Sequence, residues 1–336
     1  CMALRLVQVD VDPRLSEEAL GLLDRVGAAE RWCVDGGSYG SVVSAVIGSD
    51  RTGAAVDLIY SELSARTSIR ALVLPLDAVI PRPSASLESG ERQERRSFAA
   101  VSREEVYAAV AGNAQLDSTF VAMTVLATIV AAIGLSSDNT AAVIGAMVVA
   151  PLLGPNMALA LGLTLDDRAL IQRAAKSAVA GILVCFGVAM VLSFLVDVDP
   201  AVSELSSRTG PRVADIVLAV AAGTAGTLAY TTGAPTYLVG VMVAVALLPP
   251  TVASGLFLAH GHFAQAGGAA LLTAINATAV VLSSMLTFLA SGMRPRIWWQ
   301  EAQARRTATR AALALMGLLG VLGGLIYLSR GWGAGG

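Results

Sequence analysis

Two hydrophobic patterns divide the chain. Up to about residue 80, apolar positions come in short runs whose period alternates between two and 3.6. Leu4, Leu6, Val7 and Val9 begin a strand; Ser16 is placed to cap a helix carrying Ala19, Leu20, Leu23 and Val26 on one face. Ala29 to Val34 and Ser41 to Ile47 predict a hairpin around a glycine-rich turn, Gly53 to Ala65 a second helix, and Ile69 to Leu76 a last strand. The order βαββαβ is that of a ferredoxin-like domain. From residue 118 onward the pattern becomes uncharged apolar runs at 118–136, 139–163, 177–196, 213–231, 236–258, 266–290 and 312–328, which predicts about seven membrane spans.

Between these regions, residues 81–101 are rich in proline, serine and charge and read as a linker. Ser102 and Glu105 form a capping box flanked by Val101 and Val106, so a pre-membrane helix is expected over 102–117. The transmembrane core is expected over 118–290, an interfacial amphipathic linker with Trp298 and Trp299 over 291–311, and a last span and tail over 312–336.

The run from Asn139 to Leu163 has a particular shape. Pro151 and Pro155 each remove a backbone donor and Gly154 adds a flexible point, so this helix is expected to break midway. In lipid the freed carbonyls need partners, so the break should face protein or a cavity. The segment IGAMVVAPLLGP at 144–155 has a counterpart 95 residues on, VGVMVAVALLPP at 239–250, sharing Gly145/Gly240, Met147/Met242 and Pro155/Pro250. A second break is therefore expected at Pro249 and Pro250. Each copy holds three spans, and an odd number reverses the second copy in the membrane, which gives a 3+3 inverted repeat with broken helices.

Composition agrees with a polytopic membrane protein: 55% of residues are hydrophobic and 14% charged, and mean hydropathy is +0.68. A net charge of −2 argues against a nucleic-acid partner. No positively charged and then apolar run opens the chain, so no signal peptide is expected and the N-terminal domain is placed in the cytoplasm. With that orientation the inner loops carry eight arginines and lysines against three outside, as the positive-inside rule requires. Three cysteines at scattered positions give neither a disulfide framework nor a metal-ligand spacing.

Asp, Glu, Lys, Arg and His avoid the middle of every predicted span, which weighs against a proton relay, a voltage sensor and intramembrane hydrolysis. No catalytic group, metal site or cofactor is expected, and the chain is not expected to be an enzyme. Neutral polar groups remain: Thr124, Thr128, Asn156, Thr224, Thr227, Thr251, Asn276 and Thr278. Their oxygens, with the freed carbonyls, could bind a neutral or zwitterionic solute or Na⁺, or could simply pack helices together. The expected substrate-binding residues are Asn139, Pro151, Gly154, Pro155, Asn156, Pro249, Pro250, Thr251 and Asn276. Asp138 is expected to act as a gate or a helix cap. Gly36, Gly37 and Ser38 form the glycine-rich turn, either an anion cradle for a regulatory ligand or a plain hairpin turn.

Ile144-Gly145-Ala146-Met147, then Ala150-Pro151-Leu152 and Gly154-Pro155, resemble the bacterial membrane proteins grouped as domain of unknown function family 389. Glu105-Val106, Gly134-Leu135, Asn139, Gly162 and Asp167 extend the resemblance across about residues 100–290, while Asn156 stands where that family tends to be apolar. The resemblance supports the architecture and a place in the bacterial inner membrane. The expected function is transporter-like, binding or moving a small polar solute at paired broken helices, in a homodimer whose partners are the lipid bilayer and a small-molecule ligand. The alternative is a ligand sensor or ligand-gated channel whose cytoplasmic domain binds a small metabolite such as a nucleoside or amino acid.

Overall fold

A computed structural model describes residues 4–35, 40–49, 51–76, 101, 103–210, 212–234, 236–293, 309–321 and 324. The glycine-rich turn at Gly36, Gly37 and Ser38, the linker, Ser102 and most of the predicted interfacial segment lie outside the described residues. The chain divides into two units, Cys1–Val106 and Tyr107–Gly336.

In the first unit, strands β1 (Leu4–Val11), β2 (Glu30–Asp35), β3 (Ser41–Gly48) and β4 (Arg70–Leu76) form one antiparallel sheet in the order β2-β3-β1-β4. Helices α1 (Ser16–Arg25) and α2 (Thr52–Leu63) supply Ala19, Leu22, Leu23, Val56, Ile59 and Leu63 to a core with Val7, Val9, Val43 and Ile47. Period two places that strand set on one face of the sheet, and period 3.6 gives each helix a matching stripe. The other face leaves Trp32, Val34, Leu72 and Leu74 exposed. Ser16 is not the cap of α1. A 3-10 turn at Pro13–Leu15 comes first, because Pro13 is preset for a first helical turn, and the Asp12 carboxylate accepts from the Arg14 amide at 2.9 Å.

Helix α3 (Arg103–Gly112) starts where the capping pattern put it, and Glu105 accepts from Arg5 Nε at 2.8 Å. The second unit continues with α4 (Ser118–Ser136), α5 (Thr140–Val149), α6 (Leu153–Leu165), α7 (Arg168–Leu192), the short α8 (Ser203–Ser206), α9 (Val213–Thr232), α10 (Thr236–Ala259) and α11 (Phe263–Ala290). Four described helices, α4, α7, α9 and α11, are long and apolar enough to cross a membrane, and the pair α5 and α6, bent by 52°, makes five if it is one span. Two shorter apolar helices, Ala246–Ala259 within α10 and α12 (Thr309–Val321), are also present among the described residues. The third predicted span begins nine residues early, at Arg168 rather than 177, because Asp167 caps it and its first turns carry Arg168, Arg173 and Lys176, which a hydropathy window excludes.

Helix starts and turns recur at one spacing. Helix α9 begins 213 − 118 = 95 residues after α4, and α11 begins 263 − 168 = 95 residues after α7. Left-handed backbone occurs at Asp138 and Gly233 and again at Asp166 and Gly261, each pair also 95 apart. The turn hydrogen bonds match: Asn139 N to Gly134 O at 2.8 Å pairs with Ala234 N to Ala229 O at 3.0 Å, and Asp167 N to Gly162 O at 3.0 Å with His262 N to Phe257 O at 3.0 Å. Glycine adopts positive φ freely and aspartate is among the few other residues that tolerate it, so one half uses Asp where the other uses Gly.

Candidate functional site

The first expected break is present. Helix α5 ends at Val149, Ala150 is extended at φ −68° and ψ 120°, and α6 resumes at Leu153. Pro155 has no N–H for the carbonyl of Pro151, and Pro151 none for that of Met147, so the ladder loses two bonds within one turn. Gly154 and Pro155 are buried. Lack of a side chain at Gly154 admits the backbone of Asn113, since a Cβ there would stand 2.1 Å from Asn113 O. Asn113 also reaches α9, its Nδ2 donating to Tyr230 Oη at 3.1 Å.

The second expected break is absent. Helix α10 runs through Pro249 and Pro250, so the paired breaks of the sequence reading become one break and one repaired helix. The repair is visible: Pro250 cannot donate to Ala246 O, and Asn276 Nδ2 on α11 does so instead at 2.8 Å. Ninety-five residues before Asn276 stands Gly181, which has no side chain to offer the carbonyl of Pro151. A second proline, Pro151, adds to the difference, because its counterpart at position 246 is alanine. One half therefore bends where the other stays helical.

The remaining neutral polar groups mostly bond within their own helices. Thr124, Thr128, Thr227, Thr251 and Thr278 each donate to the carbonyl four residues back, at 2.7 to 3.0 Å, and Asn156 Nδ2 does the same to Leu152 O at 2.7 Å. Asn156 and Thr251, equivalent in the 95-residue spacing, thus make equivalent bonds to Leu152 and Leu247. Around the repaired prolines the structure joins Asn276 and Thr251 with a residue the sequence reading passed over, Thr273, whose Oγ1 lies 3.3 Å from Thr251 Oγ1 and donates to Ala269 O at 3.1 Å. Its position one turn before Asn276 on α11 was the available signal. These residues are buried: Asn276 is 4% exposed, Thr251 3% and Thr273 6%. Asn276 Oδ1 has no hydrogen-bond partner among the described residues.

Asp138 and Asn139 stand apart from this centre. Asn139 caps α5, its Oδ1 accepting from Ala142 N at 3.1 Å, and it is exposed about 11 residues, roughly 16 Å of helix, from the break. Asp138 Oδ1 accepts from Glu204 N at 2.8 Å, which satisfies an early amide of α8, while Thr140 Oγ1 donates to Glu204 Oε1 at 2.5 Å. Both belong to a capping cluster rather than to the proline centre.

At the start of α7, Tyr107 Oη donates to Asp167 Oδ2 at 2.6 Å. That bond, together with partial burial, raises the Tyr107 phenol above its ordinary value. Partial burial pushes the Asp167 carboxyl up, but the Tyr107 hydroxyl, the amides of Leu170 and Ala169 and the charge of Arg173 outweigh it and hold it below the usual carboxylate range. Among the described residues, no three or more His, Cys, Asp or Glu side chains converge to hold a metal ion.

Residues 147–282 match the family described as Domain of unknown function (DUF389). That stretch includes the bend after α5, both prolines of α10 and Asn276. An uncharacterized protein of Methanocaldococcus jannaschii is 34% identical over 223 residues, covering 66% of this chain and 70% of that one. No solved structure matches the chain. The apolar helices mark a membrane protein, and the family match and the Methanocaldococcus jannaschii relative together place the chain in the DUF389 family.

Proposed function

We propose that this is a transport-type membrane protein that binds a small polar solute between two three-span halves of opposite orientation. The observation that carries the reading is the 95-residue recurrence of helix starts, left-handed turns and turn hydrogen bonds. Three spans per half would invert the second half, an arrangement that recurs in secondary transporters whose irregular helices meet near the midplane. In this reading α10 and α12 span with the five helices above, giving seven. The N-terminal unit is ferredoxin-like, cytoplasmic and dimer-forming; the β2-β3-β1-β4 antiparallel order with two helices on one face supports its fold. Solute would contact Asn156 beside the bend and Thr251 beside the repaired prolines.

The test is flux into proteoliposomes, assayed with a panel of labelled amino acids and nucleosides. The wild type should move one class of solute, and Asn156→Ala or Thr251→Ala should abolish that flux with folding intact. Unchanged flux in both variants would remove the site assignment.

A sensor or ligand-gated channel is the second reading, and the backbone of Asn113 against Gly154 favours it, because the segment just after α3 touches the bend directly. Deleting residues 1–80 separates the two: a sensor loses its response, and a transporter keeps its flux.

A further inference from the structure

We infer that the oxygen cluster between α10 and α11 binds a singly charged cation, with Asn276 Oδ1, Thr273 Oγ1 and Thr251 Oγ1 as its side-chain ligands; this rests on the proposed reading of the same place as the solute centre. The chemistry follows from where the protons go. Thr251 donates to Leu247 O at 2.7 Å, Thr273 to Ala269 O at 3.1 Å, and the Asn276 amide nitrogen to Ala246 O at 2.8 Å. Each threonine hydroxyl has one proton, given to its backbone carbonyl or shared between the two hydroxyls, so lone pairs remain on the two threonine oxygens and on Asn276 Oδ1. A group that meets lone pairs from several sides must be a cation or a strong donor.

Asn276 Oδ1 is the second, independent sign. It has no partner among the described residues although Asn276 is only 4% exposed. An orphaned buried acceptor costs about 1–3 kcal/mol, so a ligand that completes it is favoured. Geometry agrees. The two threonine oxygens are 3.3 Å apart, within hydrogen-bond reach of each other and also close to the roughly 3.4 Å edge of an octahedron with metal–oxygen bonds of about 2.4 Å.

Charge sets the valence. Residues 243–259 and 263–290 contain no Asp, Glu, Lys, Arg or His. Divalent ions are usually held by carboxylates that offset their dehydration, and this cluster has none, whereas neutral oxygens suffice for a single charge. The cation can be a metal ion or the ammonium group of a solute, and both present the same chemistry to these oxygens.

The experiment is thermal unfolding of the purified full-length protein in detergent, titrated with NaCl, KCl or methylammonium chloride against choline chloride at matched ionic strength. A saturable rise in melting temperature with Na⁺ or K⁺ identifies a metal ion, and a rise with methylammonium identifies an amine. Thr273→Val and Thr251→Val keep the Asn276 bond to Ala246 and should raise the half-saturating concentration about tenfold or more, while Thr273→Ser should restore it. No rise above choline in any salt, or an unchanged half-saturation in both valine variants, overturns the inference. Parallel flux assays separate the two claims: solute flux that ignores every cation removes the cation site and leaves transport standing, whereas saturable cation stabilisation without flux of any solute keeps the site and removes transport.

Discussion

Replacing Asn276 by alanine tests the repair of α10 directly. The change takes away the one donor shown for Ala246 O, in a helix where Pro250 cannot supply its own. A buried acceptor left without a partner costs about 1–3 kcal/mol. Interhelical hydrogen bonds in membranes average about 0.6 kcal/mol and reach about 1.7. Asn276→Ala should therefore destabilise the protein by about 2 kcal/mol, with about 1 kcal/mol of that belonging to the orphaned carbonyl. Pro250→Ala restores an N–H at position 250 that can donate to Ala246 O in the regular helical pattern. The same Asn276→Ala change, made in the Pro250→Ala background, should then cost about 1 kcal/mol less. Equilibrium unfolding of the four proteins in mixed detergent micelles reads the coupling as a double-mutant cycle. If the two changes add to within about 0.3 kcal/mol, Asn276 does not compensate for Pro250, and the account of why one half bends and the other does not is wrong.

Two further outcomes follow from the structure. Gly154→Ala should destabilise by about 2–3 kcal/mol in the same unfolding assay, because its Cβ would meet Asn113 O at 2.1 Å, whereas Gly145→Ala, whose Cβ would meet no atom beyond its own helix backbone within 4 Å among the described residues, should be neutral or slightly stabilising. Tyr107→Phe should lower stability by roughly 1 kcal/mol, discounted for partial exposure. The sign follows from both partners: the lowered Asp167 carboxyl contributes above its ordinary range and is lost as pH falls through its folded value, and the raised Tyr107 phenol contributes below its ordinary range and is lost as pH rises through its folded value. The wild type should thus exceed the variant in melting temperature most between about pH 5 and 9, with the gap closing at both extremes.

Residue patterns revealed much of this fold because the features concerned are local. Pro151, Gly154 and Pro155 act on their own turn, so the bend after α5 was legible. The cap before α5 was legible only in part: Asp138 was expected as a gate or cap and Asn139 as a solute contact, whereas Asn139 supplies the capping oxygen. Pro249 and Pro250 misled for the opposite reason: their compensation comes from Asn276, on another helix, and no local rule connects the two. Thr273 escaped for the same cause, as its contact with Thr251 exists only after α10 and α11 pack. The early start of α7 escaped because hydropathy weighs charge, while helix formation in its first turns depends on the Asp167 cap. The 95-residue spacing was readable from one short segment, and the turns at Asp138, Gly233, Asp166 and Gly261 extend it over both sets of three helices.

The claim on which the rest depends is that these two sets cross the membrane in opposite senses. Single cysteines placed at Asp138 and at its counterpart Gly233, in a background lacking the native cysteines, can be labelled in intact cells with a membrane-impermeant maleimide. Opposite orientation predicts that the cysteine at 138 reacts from outside and that the one at 233 reacts only after the cells are opened. Reaction of both from the same side would contradict the inverted arrangement and, with it, the proposed solute centre between the halves.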